Sequence, residues 1–383
     1  VNAVLHFSIH IVIRSSGANP NHPFSSAFPP PFCRSFTTMI FVDGARFRCS
    51  TQSSSPQASD ILIALMENPF LTSAATLFKA IPEKIISFSE ESGSQISTHH
   101  KYVYLFQREY VTVDPMLVEL VGMDEATTCV GFVIRNRKNG MTSVAHMDSP
   151  NVVDVGLAQM LSLVVDHDSD AELDVHLIGG FEDVSHKKED HGFRTGSAAL
   201  GYSLPLCTKV IEVLERSRER MHIQTLFILR HNTRRDPGGI AFPIFNGFLV
   251  ESSTGTAIPA SFDKTSRSPD EIVRRIRLSM SFADPIWKRK LLETYDTRTD
   301  QFIIAPCSWS PHQMEFSLMV QELSDSEILL RCSTSPFAEG PDFVDNARRI
   351  SDYLIEHPNW WEIFPMKQPR VFKRSHGGGW IRC

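Results

Sequence analysis

The chain has 383 residues, 42% hydrophobic and 10% aromatic, which excludes a disordered polymer and allows one large core or two closely fused ones. Its 38 basic and 44 acidic residues leave a net charge of −6 without a long basic run, so nucleic acid is not an expected partner. The seven cysteines (Cys33, Cys49, Cys129, Cys207, Cys307, Cys332, Cys383) are odd in number and lack C-x-x-C spacing, which points to free thiols in a reducing compartment and to no zinc.

Residues 1–38 differ from the rest. They contain no Asp or Glu, two Arg and many Ser and Pro, and their apolar stretch, Val1 to Ile13, is too brief to span a membrane. Gln52 to Gln57 reads as a Ser-rich linker, after which helical periodicity covers Asp60 to Met66 and Ala74 to Ala80, each ending at a proline. Strands are expected at Tyr102 to Phe106, Tyr110 to Val113, Val130 to Ile134 and Thr142 to His146, the last two joined by a turn at Arg137-Lys138-Asn139-Gly140. A helix over Val153 to Val165 and a strand from Glu172 to Ile178 lead to a loop over Glu182 to Ser197, an amphipathic helix from Leu206 to Arg220 and a strand from Ile223 to Arg230.

From Gly239 the pattern changes to antiparallel strands at Ile240 to Ile244, Phe248 to Ser252 and Ala257 to Ser261, with bends at Gly247 and Gly255. Ser268-Pro269-Asp270-Glu271 has the form of a helix start, with Ser268 as N-cap and Pro269 at the first helical position. Strands near Tyr295 and over Gln301 to Ala305 precede a loop at Trp309, and Asp342 to His357 is the last strong helix. The pattern holds no internal repeat and no transmembrane segment. Helices and strands in this order specify an α+β fold, with mixed, largely antiparallel sheets flanked by helices.

The chemistry concentrates in Asp124-Glu125-Ala126-Thr127-Thr128-Cys129-Val130-Gly131 and, seventeen positions after the cysteine, His146 in Ser143-Val144-Ala145-His146-Met147-Asp148. A thiol is a poor nucleophile until deprotonated; an imidazole within reach activates it and later protonates the leaving group. The turn between the two strands is expected to bring both side chains to one sheet edge, with Cys129 as a low-pKa thiol. On spacing alone, a small buried cysteine and a histidine satisfied by backbone account for the pattern better than a catalytic pair.

The surrounding motifs shift that balance. Asp124 to Gly131 with Thr142 to Asp148 resembles the nucleophile region of protein N-terminal asparagine amidohydrolases, enzymes that deamidate an asparagine at a protein's first position. Tyr104-Leu105-Phe106-Gln107-Arg108-Glu109-Tyr110, Leu173-Asp174-Val175-His176-Leu177-Ile178-Gly179-Gly180-Phe181, Ala305-Pro306-Cys307-Ser308-Trp309-Ser310-Pro311 and Ser333-Thr334-Ser335-Pro336 are similar to that family in order and spacing, so the resemblance runs from about Met39 to about Trp380. It implies an α/β/β sandwich like that of cysteine deamidases, a single domain over 39–383 and a catalytic hairpin at about 124–150. It also implies Cys129 as nucleophile, His146 as acid-base, no cofactor, proteins or peptides with a free N-terminal Asn as substrates, and a product beginning with Asp that arginyl-transferase modifies in the N-degron pathway of proteolysis. Met39-Ile40-Phe41-Val42-Asp43-Gly44 resembles the family's start. Residues 1–38, which open on Val rather than Met, are therefore expected to be translated upstream sequence, disordered and dispensable, with a transit peptide as the alternative.

The same Cys-to-His interval occurs in bacterial chemoreceptor glutamine deamidases, which use a hydroxyl residue six positions before the cysteine. Met123 stands there in this chain, so a third catalytic member is open among Thr127, Thr128 and Asp148. Asparagine and glutamine differ by one methylene, which a pocket discriminates by only about 1–3 kcal/mol, so specificity requires reading the α-ammonium as well. Asp124 and Asp148, each close in sequence to a catalytic residue, are the first candidate anchors; Glu182 comes next, then Glu125 and Asp183. His176 either lines the pocket or is a buried structural histidine, Ser308 is a candidate substrate contact, and Trp309 is expected in the core. A cytoplasmic monomer, with the nucleus as a second location and no membrane partner, completes the expectation. Two rivals stay open: a deamidase or transglutaminase-like enzyme acting on internal amides, and an inactive interaction protein of the same fold.

Overall fold

Strand alternation sends Val130, Phe132 and Ile134 of the strand Val130–Asn136 to one face and Val133 to the other, and both faces are buried. Such a strand belongs in the middle of a sheet. A computed structural model of the chain describes residues 39–49, 57–87, 101–165, 171–184, 201–375 and 377–383. Its largest sheet has eight strands in the order Leu292–Glu293, Glu109–Val113, Thr142–Met147, Val130–Asn136, Glu172–Gly179, Arg220–Ile228, Ile40–Val42 and Ala45–Arg46.

One face of this sheet is covered by helices α1 (Ala58–Glu67), α3 (Val153–Val164) and α4 (Ser203–Arg216), with α2 (Pro69–Ala80) following α1; Leu65, Met160 and Leu214 pack there against Phe132 and Leu177. The other face, through Val111, Val133, Val144 and Ile178, meets a five-stranded sheet ordered Lys84–Ile86, Ala257–Phe262, Phe248–Glu251, Leu120–Met123 and Tyr102–Leu105. Val121, Met123, Phe248 and Val250 supply the facing side chains of that second layer. Helices α5 (Glu271–Ser281), α6 (Pro311–Glu322), α7 (Asp325–Cys332) and α8 (Phe343–Glu356) follow, and Val273 of α5 and Leu354 of α8 join the same core. The helices, together with mixed and mostly antiparallel sheets, make this the α+β fold expected. Among the described residues, no single helix is long and apolar enough to cross a membrane.

Several expectations change. The hairpin carrying Cys129 and His146 lies inside the eight-stranded sheet, so its two residues sit at a strand end and not at a sheet edge. Helix α4 stops at Arg216, and Arg220 already pairs with Glu172 in the next strand. Ser268 does not cap α5. Its hydroxyl pairs with that of Tyr102 at 3.1 Å, its carbonyl and that of Pro269 accept from Arg274, and the helix starts at Glu271 after a left-handed Asp270. Helices α6 and α7 went unread. The apolar residues of α6 form no clean stripe, since Phe316 and Val320 are buried while Leu318 is exposed. Trp309 is in the core as expected, with Nε1 donating to the His357 carbonyl at 2.9 Å. Residues 1–38, nearly all of the 52–57 linker and most of the 182–197 loop lie outside the described residues.

Candidate active site

Antiparallel register sets the geometry of the pair. Gly131 faces His146 and Val130 faces Met147, so the same register carried back one residue puts Cys129 across from Asp148 and diagonal to His146. Cys129 and Val133 share a core cluster with Val144, and by alternation His146 projects to that same side. Diagonal neighbours on one sheet face lie about 7–8 Å apart, within reach of long side chains. The position between them must be glycine: a Cβ on Gly131 would lie 2.0 Å from Phe248 Cε1 and 3.1 Å from Met123 Sδ. Met123 is therefore packing beneath the hairpin, fully buried and paired with Phe248 and Leu105. Behind the thiol, the Cys129 carbonyl accepts from Gly180 N–H at 2.7 Å, and Gly179, at φ +118°, leaves room for that carbonyl where a Cβ would approach to 2.7 Å.

Cys129 opens into a cavity of about 530 Å³, also lined by Glu125, Thr128, Asp148, Thr334 and Glu339. Burial pushes its thiol well above the ordinary range, the carboxylates of Asp148 and Glu339 add to that, and Arg108 opposes it. Burial moves His146 the other way, down to about 4, against the pull of Asp148 and Glu125. Burial thus favours a neutral thiol and a neutral imidazole in the empty site, the opposite direction from the low-pKa thiol expected from sequence. His146 is buried, and neither ring nitrogen has a hydrogen-bond partner among the described residues. An imidazole in that condition can accept a proton without first breaking another contact.

The candidate carboxylates divide by their partners. Asp124 accepts from Tyr104 Oη–H at 2.5 Å, from Phe262 N–H at 2.8 Å and from Arg267 at 3.2 Å; burial and the neighbouring Glu125 still push it up to about 6. Glu125, in a left-handed turn at φ +61°, receives both Nη atoms of Arg275 at 2.8 and 2.9 Å, plus Arg267; against the effect of burial these guanidiniums hold it at about 2. Asp148 is clamped by Arg108 through Nε at 3.0 Å and Nη2 at 3.3 Å, and Gln107 adds a contact at 3.4 Å. All three border the cavity, and all three are already paired with arginine.

Of the remaining candidates, Glu182, Asp183, His176 and Ser308 lie away from it, whereas Thr127 and Thr128 line it. Glu182 is ion-paired with Arg235 at 3.0 Å, and Asp183 accepts from the amides of Tyr202 and Ser203 at the start of α4. His176 is buried with Nδ1 3.1 Å from Thr225 Oγ1, and Ser308 is exposed outside the cavity. Thr127 and Thr128, proposed to orient the histidine, engage Ser335 at 2.9 Å and Thr334 at 3.2 Å instead. Sequence reasoning missed Arg108, Arg267 and Arg275, which neutralise the cavity's carboxylates, and it missed Glu339. The signal for Glu339 is its position three residues past the Ser333-Thr334-Ser335-Pro336 motif. No group of three or more His, Cys, Asp or Glu among the described residues is arranged to hold a metal ion.

Comparison with known proteins covers the part of the chain that holds the cavity. Residues 92–382 match the family model described as protein N-terminal asparagine amidohydrolase. A curated protein of that name from Arabidopsis thaliana is 56% identical over 349 residues, covering 90% of this chain and 100% of the relative. Proteins of the same name from Mus musculus and Homo sapiens are 30% and 29% identical over 284 residues, in each case 73% of this chain and 83% of the relative.

Proposed function

The chain belongs to the protein N-terminal asparagine amidohydrolase family, and from that premise we propose that Cys129 and His146 carry out its reaction. The reaction is hydrolysis of the side-chain amide of an asparagine at the first position of a protein or peptide, giving aspartate and ammonia. As Cys129 Sγ attacks the carboxamide carbon, the neutral His146 takes the thiol proton, so thiolate and imidazolium arise together and only with substrate present. Asp148 and Glu125 favour the imidazolium. His146 then protonates the amide nitrogen, the C–N bond breaks, ammonia leaves and a thioester remains. Water, deprotonated by His146, adds to the thioester carbon; Sγ departs, regains its proton, and the aspartate carboxylate is released.

The observation that carries this reading is a cavity-lining thiol with a buried, neutral and unpartnered imidazole on the same sheet face. We further propose a cytoplasmic setting, upstream of arginylation and proteolysis. Its support is the family resemblance and the free thiols of Cys49, Cys129, Cys207, Cys307 and Cys383. Matched Asn-, Gln- and acetyl-Asn-peptides test the reading: the Asn-peptide gains about one dalton with release of ammonia, and the other two do not. Acetyl-Asn deamidated as fast as free Asn would overturn it in favour of an internal-amide enzyme.

A further inference from the structure

An α-ammonium entering a site beside Cys129 needs a carboxylate that is not already neutralised. Asp124, Glu125 and Asp148 each face a guanidinium. Glu339 differs. It lies in the segment between α7 and α8, half-buried and lining the same cavity as Cys129, and its hydrogen-bond partners among the described residues are hydroxyls: Ser333 Oγ, and Ser335 Oγ at 3.4 Å. The same short segment is stitched to the residues preceding the nucleophile. Ser335 Oγ lies 2.9 Å from Thr127 Oγ1, Thr334 Oγ1 lies 3.2 Å from Thr128 Oγ1, and Ser335 N–H donates to Ser333 Oγ at 2.9 Å. These contacts hold the Glu339 carboxylate at a set distance from the thiol, as recognition of an ammonium and an amide on one residue requires.

We propose that Glu339 anchors the α-ammonium of the substrate, and that neutralisation of its charge by that ammonium couples recognition of a free N-terminus to activation of Cys129. The proposal rests on the amidase reading above and extends it to specificity. In the empty site the Glu339 carboxylate, after burial itself and Asp148, helps keep the proton on the thiol. An ammonium seated on Glu339 cancels that field at Sγ, so thiolate forms more readily beside a bound N-terminal asparagine. An internal or acetylated asparagine brings no charge and leaves the field in place. The cavity thereby discriminates at the chemical step as well as in binding.

Glu339→Gln removes the charge while keeping the shape. For Asn-peptides, kcat/KM should fall by roughly 10- to 150-fold, the range for loss of a charge-assisted hydrogen bond, chiefly through KM. The acetyl-Asn rate should rise above its wild-type level, because the field that opposes thiolate formation is gone, so the preference for the free amine narrows from both sides. Alkylation of Cys129 against pH should meanwhile shift to lower pH in the variant, a change that loss of a merely structural contact would not produce. Glu339→Asp, which retains the charge, should recover part of the preference. If neither variant folds, carbodiimide labelling of the wild-type protein replaces them: a saturating Asp-initiated product peptide should protect Glu339, and its acetylated form should not. Wild-type KM and preference in Glu339→Gln, an unmoved thiol titration, or absent protection would each overturn the anchor while leaving the amidase reading intact. A wild-type protein inert on Asn-peptides would overturn both.

Discussion

The resting protonation of His146 can be read from the stability of the protein in acid. Burial holds the imidazole at about 4, against an ordinary 6.5, so putting a proton on it in the folded state costs on the order of 3 kcal/mol. Between those two values the unfolded chain binds this proton and the folded chain does not. The resulting contribution is absent as a penalty above pH 6.5 and grows as the pH falls towards 4, reaching about 2 kcal/mol at pH 5 relative to pH 7. His146→Gln cannot titrate, so in urea unfolding the wild-type protein should lose about 2 kcal/mol more than the variant between these pH values. His176, also held at about 4 by burial, titrates in both proteins and cancels from the difference. The thiol supplies a second readout: with Cys129 pushed above the ordinary range, its alkylation should rise about tenfold per pH unit through neutrality without a plateau. Equal acid sensitivity of the two proteins, or an alkylation plateau between pH 5 and 7 that disappears in His146→Gln, would mean a resting thiolate-imidazolium pair and refute the reasoning.

Four further outcomes follow from the same geometry. Cys129→Ser should be inactive in ammonia release at unchanged melting temperature, whereas Cys307→Ser, outside the cavity, should retain wild-type turnover. Gly131→Ala drives a methyl to within 2.0 Å of the Phe248 ring and should cost about 1–3 kcal/mol in urea unfolding, part of it restored by Phe248→Leu. Arg108→Met strands the buried Asp148 carboxylate without its cation and should destabilise the protein by about 3–5 kcal/mol, read from the denaturation midpoint. Because burial raises Glu339 to about 7, its charge is lost as the pH falls below that value; KM for Asn-peptides should climb from pH 7 to 5.5 and stay flat over that range in Glu339→Gln.

The elements around the site were legible because their signals are local. Tyr102–Leu105, Glu109–Val113, Val130–Asn136 and Thr142–Met147 alternate or run apolar between clear turns, and their observed bounds fall within a residue or two of the expected ones. Helix α6 failed for the opposite reason, its apolar residues being spread around the helix, although Ser310 and Gln313 form a capping box at its start with Pro311 at the first helical position. The start of α5 was misread because Ser268 and Pro269 answer to partners far away in the chain, Tyr102 and Arg274.

The site divides along the same line. The diagonal placement of Cys129 and His146 on one sheet face follows from a hairpin that separates them by seventeen positions, a local fact written in the spacing, and family membership follows from motif order. Which carboxylate remains available for a cation is not local. Asp124 and Asp148 ranked first by closeness in sequence, yet Arg267 and Arg108 reach them across 143 and 40 residues, while Glu339 lies 210 positions beyond Cys129 and, among the described residues, takes its hydrogen bonds from hydroxyls. The protonation of the pair was equally out of reach from sequence. A cysteine and a histidine in a motif suggest an ion pair, but burial favours two neutral groups, because the cost of desolvating a charge depends on the whole fold around it.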